Sequence, residues 1–129
     1  MRILIADDNE QVRHGIAWLL SSEKEWQVCG EACSISETLD KTAELRPDLV
    51  LLDIRMPDGS GLDTARRLRL MMPELKIVIM SQHDPNRLAS HAIHAGADAC
   101  VDKARMGADL IPTISAVMNS YSPSGKLTS

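Results

Sequence analysis

Aromatic residues are nearly absent from this 129-residue sequence, which has two Trp, one Tyr and no Phe. A packed interior must therefore be built from Leu, Ile, Val, Ala and Met. The hydrophobic share of 44% is ordinary for a globular protein, so the scarcity of rings does not indicate disorder. The length is close to the commonest size of one domain, and we expect a single core.

Cysteine is scarce as well, and the spacing of Cys29, Cys33 and Cys100 is not that of a disulfide framework. An odd, unpatterned set of thiols fits a reducing, cytoplasmic compartment. Cys29 and Cys33 fall in a predicted strand, where residues four apart lie roughly 13 Å from each other, too far for a disulfide or a shared metal ion. We expect small buried thiols.

Two further absences exclude classes of function. No apolar run approaches membrane-spanning length, and the first residues lead into a strand rather than a signal peptide. The formal net charge is −4, whereas a nucleic-acid surface would need a basic face. We expect no membrane association, and no DNA contact from this segment itself.

Short apolar runs alternate with amphipathic stretches along the whole chain. The runs cover residues 3–5, 27–32, 49–52, 77–80 and 99–101. Runs without polar alternation are typical of strands that are covered on both faces in a parallel sheet. Five strands and five helices in alternation predict an α/β domain with a doubly wound parallel sheet.

The helical stretches carry the usual signals of helix ends. Ser34 and Glu37 have the spacing of a capping box before the second helix. Asp84 is placed to cap the fourth helix, Pro85 suits its first position, and Gly96 suits the residue after its end.

The last helix contains Pro112, which is tolerated in a first helical turn, so we expect this helix to start late, near Asp109. The stretch 120–129 is polar and contains Pro and Gly, which is typical of a linker. The predicted organisation is one domain over residues 1–119, followed by a linker or tail over 120–129.

Reactive side chains follow four of the five predicted strands. Asp7 and Asp8 follow the first strand, Asp53 ends the third, Ser81 ends the fourth and Lys103 follows the fifth. Ligands bind beyond the carboxyl ends of the strands in open α/β sheets, so these groups are expected at one rim. Three clustered carboxylates repel each other unless a cation compensates, and oxygen-rich sites suit Mg²⁺.

The same group of residues suits phosphoryl chemistry. An Asp carboxylate can attack phosphorus, Lys103 can pair with a phosphoryl oxygen as a point charge, and the Ser81 hydroxyl can donate to another oxygen. The protein would act mainly by positioning and charge neutralisation. The strand ends therefore predict an aspartyl-phosphate site with Mg²⁺ as its cofactor.

In their order and spacing, these motifs resemble the receiver domain of two-component response regulators, over essentially residues 1–119. The matching pieces are residues 5–9 with Val12 and Arg13, residues 53–62, Ser81, and residues 96–98 followed by Lys103. Each piece is weak alone, but all of them in this order are highly specific. The resemblance implies a flavodoxin-like fold with strand order 2-1-3-4-5.

The resemblance also implies roles for the acidic residues. Asp53 would be the phosphoacceptor, loaded from the phosphohistidine of a sensor histidine kinase. Asp8 would bind Mg²⁺ directly and Asp7 through water. Asp53 and the backbone carbonyl of Arg55 would complete the protein ligands.

Lys103 would hold a phosphoryl oxygen. Ser81 would move towards the phosphate and report its presence to the surface of the fourth helix, fifth strand and fifth helix. Two positions depart from the family. Cys100 stands where the family usually has Tyr or Phe, so the aromatic half of the switch is missing. Ala104 stands where many receivers have a cis Pro, and we expect a trans peptide there.

The lack of that Pro and the stretch 81–84 are similar to the NarL/LuxR class, in which a linker leads to a helix-turn-helix DNA-binding domain. Residues 126–128 are similar to the approach to such a domain. The resemblance implies transcription control through an output domain absent from this chain, and a phosphorylation-dependent homodimer. A stand-alone regulator with a short tail is the alternative.

Other functions fit the residues less well. A haloacid-dehalogenase-like phosphatase or phosphotransferase would have a general acid two residues after Asp53, where this chain has Arg55. An interaction module without the chemistry would lack part of the acidic set or its lysine. Residues 59–61 lack the rest of a nucleotide-binding loop, and His91 and His94 lack a third metal ligand. We expect a switch that phosphorylates and dephosphorylates itself, not an enzyme with a free substrate.

Overall fold

The five predicted strands form one parallel sheet in the computed structural model, which describes residues 1–82 and 85–120, with only the backbone of 85–89 and 120. They are β1 (Arg2–Ala6), β2 (Gln27–Ala32), β3 (Leu49–Asp53), β4 (Lys76–Ser81) and β5 (Ala99–Asp102). A short antiparallel hairpin of Arg55–Met56 and Gly59–Ser60 is left unnumbered. The sheet order is then β2-β1-β3-β4-β5, as predicted.

Helices connect the strands in strict alternation, which confirms the doubly wound α/β prediction. They are α1 (Glu10–Leu20), α2 (Ile35–Leu45), α3 (Gly61–Met71), α4 (Pro85–His94) and α5 (Met106–Ser120), with a 3₁₀ turn over Lys103–Arg105. Over the described part of the chain, none of them has both the length and the apolar character that crossing a bilayer requires.

The core consists of two layers, one on each face of the sheet. Successive residues of β3 point to opposite faces, so Val50 and Leu52 pack into one layer, whereas Leu49 and Leu51 pack into the other. The first layer receives side chains from α2 and α3 and the second from α1 and α5. Burial on both faces explains why the strands read as continuous apolar runs.

The cap Ser34 before α2 and the residue Gly96 after α4 act as predicted, whereas the Glu37 carboxylate bonds the amide before the cap and not that of Ser34. The Ser34 hydroxyl accepts a hydrogen bond from the Glu37 amide at 3.1 Å, and the Glu37 carboxylate reaches back to the Cys33 amide at 2.7 Å. After α4, Gly96 has φ of +96°, and the Ala97 amide donates to the Ala92 carbonyl at 2.9 Å. This pair of features is a Schellman motif, which turns the chain into β5. The predicted cap Asp84 lies outside the described residues.

The prediction for the start of α5 is wrong. The helix begins at Met106, not near Asp109, so Pro112 lies inside it, beyond the first turn. Proline has no N–H to offer the carbonyl of Ala108, four residues earlier. Both residues are exposed, so water can satisfy that carbonyl and the helix continues. The predicted tail lies outside the described residues from 121 onwards.

The prediction of buried thiols also needs correction. Cys33 is exposed because it follows the end of β2, while Cys29 and Cys100 are only partly buried. All three are free thiols, as the spacing predicted. Burial raises the pKa of the Cys29 thiol and also that of Cys100.

Arg69 on α3 links the residues that follow α3 and α4 to the residue that precedes β5. Its guanidinium donates to the carbonyls of Gly96 and Pro73 at 2.6 and 2.8 Å, and pairs with the Asp98 carboxylate at 2.9 Å. The same carboxylate accepts the Ile77 amide at the start of β4, at 2.8 Å. Arg69→Ala is expected to lower the free energy of unfolding by about 2 kcal/mol, because several partly buried acceptors lose their donor.

Urea denaturation would measure this loss. The neighbouring Arg67 is exposed, and Arg67→Ala is the matched control, with an expected change within about 0.5 kcal/mol. Equal denaturation midpoints for the two variants would contradict a structural role for Arg69.

Candidate functional site

The groups that follow β1, β3 and β5 meet at the carboxyl edge of the sheet. β1 and β3 are neighbours in the sheet, but the chain leaves them in opposite directions. α1 leads from β1 to β2, whereas α3 leads from β3 to β4, which lies on the opposite side of the β1–β3 pair. Such a switch point is where open α/β sheets bind ligands. A cavity of about 250 Å³ lies here, lined by Asp7, Asp8, Asn9, Val12, Asp53, Ile54, Arg55, Gln82 and Lys103.

Lys103 forms ion pairs with two of the three carboxylates. Its Nζ lies 2.6 Å from Asp7 Oδ2 and 3.2 Å from Asp53 Oδ2. Asp7 is fully buried, Asp53 is 6% exposed and Asp8 is open to solvent. One carboxylate oxygen from each Asp lies within 4.8 Å of the other two. The structure therefore brings together four of the side chains that the sequence placed at this rim.

Burial and charge change the acid–base properties of the cluster. Burial first, and then the charge of Asp7, raise the pKa of the Asp53 carboxyl, although Lys103 acts in the opposite direction. Burial alone would lower the pKa of Lys103, but its pairs with Asp7 and Asp53 raise it overall. Lys103 is therefore a cation at neutral pH, and within the described lining of the cavity its ammonium faces three carboxylic groups.

The donors around the cavity fit a hard divalent cation. Among the residues that the structure describes, those lining the cavity include no His and no Cys. The three carboxylates offer oxygen ligands around a space open to water, which Mg²⁺ prefers. Arg55 also lines the cavity, and its amide donates to Asp53 Oδ1 at 3.3 Å. Its backbone is thus beside the carboxylates, where the resemblance to receiver domains implied a carbonyl ligand.

The turn after β1 fixes Asp7 through its own backbone and through Asn9. The Asp7 amide donates to the Ala32 carbonyl on β2 at 3.0 Å, and the Asn9 amide donates to Asp7 Oδ1 at 2.8 Å. The Asn9 side chain in turn caps α1 by accepting the amides of Gln11 and Val12. Asn9 was not among the predicted site residues, although Asn before a helix is a standard capping signal.

Asp53 is held in place by the start of α3. The Gly61 amide donates to the Ile54 carbonyl at 2.7 Å. A Cβ atom at Gly61 would lie 2.3 Å from the Asp53 carbonyl oxygen, so the backbone fits here only without a side chain. Residues 59–61 form one strand of the hairpin and the first residue of α3.

Ser81 is at the predicted strand end but is set apart from the cavity. It is the last residue of β4, is fully buried and does not line the cavity. The next residue, Gln82, lines it instead. Gln82 belongs to the stretch 81–84 that is similar to the NarL/LuxR class, but it was not among the predicted site residues. The other two residues of the stretch 81–84, His83 and Asp84, lie outside the described residues.

The two departures from the family pattern have simple local structures. Cys100 is partly buried in β5 and packs against the core layer of α2 and α3. The peptide at Ala104 is trans, as predicted, and the residues described include no cis peptide. His91 and His94 are both exposed on α4.

Comparison with known protein families identifies the family of this chain. The sequence pattern of the response regulator receiver domain matches residues 3–115, which is most of the chain. The chain belongs to the response regulator receiver domain family.

Relatives of this receiver domain include LuxR-family regulators. A LuxR-family two-component response regulator from Aurantimonas sp. has 30% identity and a TM-score of 0.87, with 95% of this chain and 89% of that chain covered. The DNA-binding transcriptional activator DevR/DosR of Mycobacterium tuberculosis is 36% identical over 110 residues, 85% of this chain and 51% of its own. The VraR protein of Staphylococcus aureus is 30% identical over 114 residues, 88% of this chain and 54% of its own. The chain thus spans about half the length of these curated relatives.

Proposed function

We propose that the receiver domain is a phosphorylation switch that takes a phosphoryl group onto Asp53 from a sensor histidine kinase, with Mg²⁺ bound beside it. The observation that carries this proposal is the cluster itself. Lys103 Nζ lies 2.6 and 3.2 Å from the carboxylates of Asp7 and Asp53, and Asp8 faces the same cavity. Membership of the receiver family supports the same reading.

In the proposed reaction, an oxygen of the Asp53 carboxylate attacks the phosphorus of the kinase phosphohistidine. An oxygen–phosphorus bond forms, the phosphorus–nitrogen bond breaks, and its electron pair stays on the imidazole nitrogen. Lys103 holds one phosphoryl oxygen through its ammonium. A bound Mg²⁺ would be held by Asp8, Asp53, the Arg55 carbonyl and, through water, Asp7, and would neutralise charge on the phosphoryl oxygens.

Ser81 is proposed to sense the presence of the phosphoryl group. Ser81 is fully buried at the end of β4, and the residue that follows it directly, Gln82, lines the cavity. Movement of Ser81 towards a phosphoryl oxygen would shift the segment that leads to α4. Since Cys100 cannot replace an inward-turning aromatic ring, this coupling runs through the backbone and its loop.

The output of the switch is proposed to be a DNA-binding domain beyond this chain. Relatives about twice as long include one named a DNA-binding transcriptional activator. Phosphorylation would shift a two-state equilibrium of the receiver, pair two copies of it and so control transcription in the cytoplasm. The domain changes only its own phosphorylation state and does not turn over a free substrate.

Intact-mass measurement tests the core of the proposal. The 129-residue chain is incubated with acetyl phosphate, once with Mg²⁺ and once with excess EDTA. We expect the mass of one phosphoryl group to be gained with Mg²⁺ and no gain with EDTA, because the carboxylates repel the donor unless a divalent cation is present. No gain in either sample, or an equal gain in both, would contradict the proposal.

A further inference from the structure

Arg13 reaches back from α1 to the acidic turn. Its backbone amide donates to the Asn9 carbonyl at 3.1 Å, which places it in the first turn and a half of the helix. Its side chain runs towards the sheet, and the Nη1 atom donates to the carbonyl oxygen of Asp7 at 2.6 Å. Only 15% of this side chain is exposed.

Glu31 on β2 anchors the same guanidinium. Its Oε1 accepts the Arg13 Nε hydrogen at 2.8 Å. β2 is hydrogen-bonded to β1, with Glu31 beside Ile5, so the anchor lies on a rigid element and not on a loop. The guanidinium is therefore fixed at two points, one on the sheet and one on the Asp7 backbone.

The Asp7 carbonyl is the point where the chain leaves the sheet. β1 ends at Ala6, whose pairing with Leu52 is the last one in the ladder to β3. Since a peptide unit is planar, the direction of this carbonyl also fixes the amide and the Cα of Asp8. Asp8 is exposed and its carboxylate must point into the cavity to act there.

We infer that Arg13, anchored by Glu31, is a positioning residue that sets the Asp7–Asp8 peptide and thereby aims the Asp8 carboxylate at the Mg²⁺ site. This inference rests on the proposed function, because it assigns a role towards the proposed cation. Arg13 itself touches neither the cation nor the phosphoryl group.

A positioning role and simple electrostatics predict opposite changes in Mg²⁺ affinity when Arg13 is replaced. Arg13 is a cation near three carboxylates, so its removal would by charge alone strengthen binding of Mg²⁺. If the residue sets geometry, its removal weakens binding. Loss of residues that orient metal ligands typically lowers metal affinity by about 10–100-fold, and we expect about tenfold here.

Calorimetric titration with Mg²⁺ alone separates these cases. Arg13→Met keeps the aliphatic stem without the charge, and Arg13→Lys keeps the charge without the two-point fork. Both are expected to bind Mg²⁺ about tenfold more weakly than the wild type. The matched control is Arg66→Met, which removes a short (2.6 Å) but exposed ion pair with Asp63 on α3 and should leave the affinity unchanged.

Hydrogen exchange supplies a second measurement that needs no metal. The Asn9 amide, bonded to Asp7 Oδ1, is expected to exchange faster in both Arg13 variants and at the wild-type rate in Arg66→Met. Glu31→Gln leaves Arg13 in place and should give a smaller loss of affinity, which keeps the test usable if an Arg13 variant does not fold.

The failure of this inference is distinct from failure of the proposed function. If the wild type binds Mg²⁺ and both Arg13 variants bind it equally or more tightly, the positioning role is wrong while the metal site remains. If the wild type itself binds no Mg²⁺, the metal site is wrong, and the role of Arg13 towards it falls as well.

Discussion

Asp53→Asn is expected to abolish phosphoryl uptake and, in the metal-free protein, to raise the stability of the fold. The amide of Asn is a far weaker nucleophile than a carboxylate, so no phosphoryl ester forms at this position. Its shape is nearly unchanged, and the Lys103 pair with Asp7 at 2.6 Å remains. Intact mass after incubation with acetyl phosphate and Mg²⁺ should show one added phosphoryl group for the wild type and none for the variant.

The gain in stability follows from the raised pKa of Asp53, which burial and then Asp7 cause. A carboxyl whose pKa is higher in the folded state binds more protons there than in the unfolded state. Stability therefore falls as the pH rises from the unfolded pKa through the folded pKa. At neutral pH the ionised, buried carboxylate destabilises the fold, and asparagine removes that cost, for an expected gain on the order of 1 kcal/mol.

Thermal denaturation in EDTA between pH 4 and pH 7 measures this gain, which should grow as the pH rises. Asp58→Asn is the matched control, for which the expected change in melting temperature has the opposite sign. The Asp58 carboxylate accepts the Ile35 and Ser36 amides at the start of α2, and these bonds lower its pKa. Its stabilising effect is present above the unfolded pKa, so Asp58→Asn should lower the melting temperature at pH 7. A lower melting temperature for Asp53→Asn as well would contradict the repulsion argument.

Much of the fold could be predicted because each strand is buried on both faces. Residues such as Val50 and Leu51 face opposite core layers, so the strand shows no polar alternation and is recognised as part of a parallel sheet. The site could be predicted for a related reason. Parallel strands carry Asp7, Asp53 and Lys103 to one edge, and their order along the chain is enough to place them there.

What could not be predicted depends on contacts and solvent exposure that arise only in the assembled fold. Nothing in the local pattern around Arg13 indicates that its guanidinium binds the Asp7 carbonyl and Glu31, 18 residues away. The start of α5 was missed because local rules treat Pro112 as a helix breaker, whereas an exposed Ala108 carbonyl tolerates the lost bond. Exposure is a property of the assembled fold, which a local rule does not contain.

Gly61→Ala is expected to be more destabilising than the same change at any other glycine that the structure describes. The added Cβ would lie 2.3 Å from the Asp53 carbonyl oxygen and 2.7 Å from the Ile54 Cα, and both are backbone atoms that cannot rotate away. The helix cannot retreat either, because Ala65 and Leu68 of α3 are fully buried in the core. We expect a loss of about 3–4 kcal/mol in the free energy of unfolding, above the usual range for overpacking.

Gly15→Ala is the matched control, since it adds the same methyl group to a helix where nothing lies within 4 Å. Alanine restricts the unfolded chain and favours the helix, so this variant should gain about 0.5–1 kcal/mol. Urea denaturation of both variants measures the two opposite changes in stability. Titration of Gly61→Ala with Mg²⁺ should show weaker binding, because displacement of the Asp53 backbone also displaces its carboxylate. If Gly61→Ala unfolds at the wild-type urea concentration, α3 is free to shift, and the close approach that holds Asp53 in place is not a constraint of the fold.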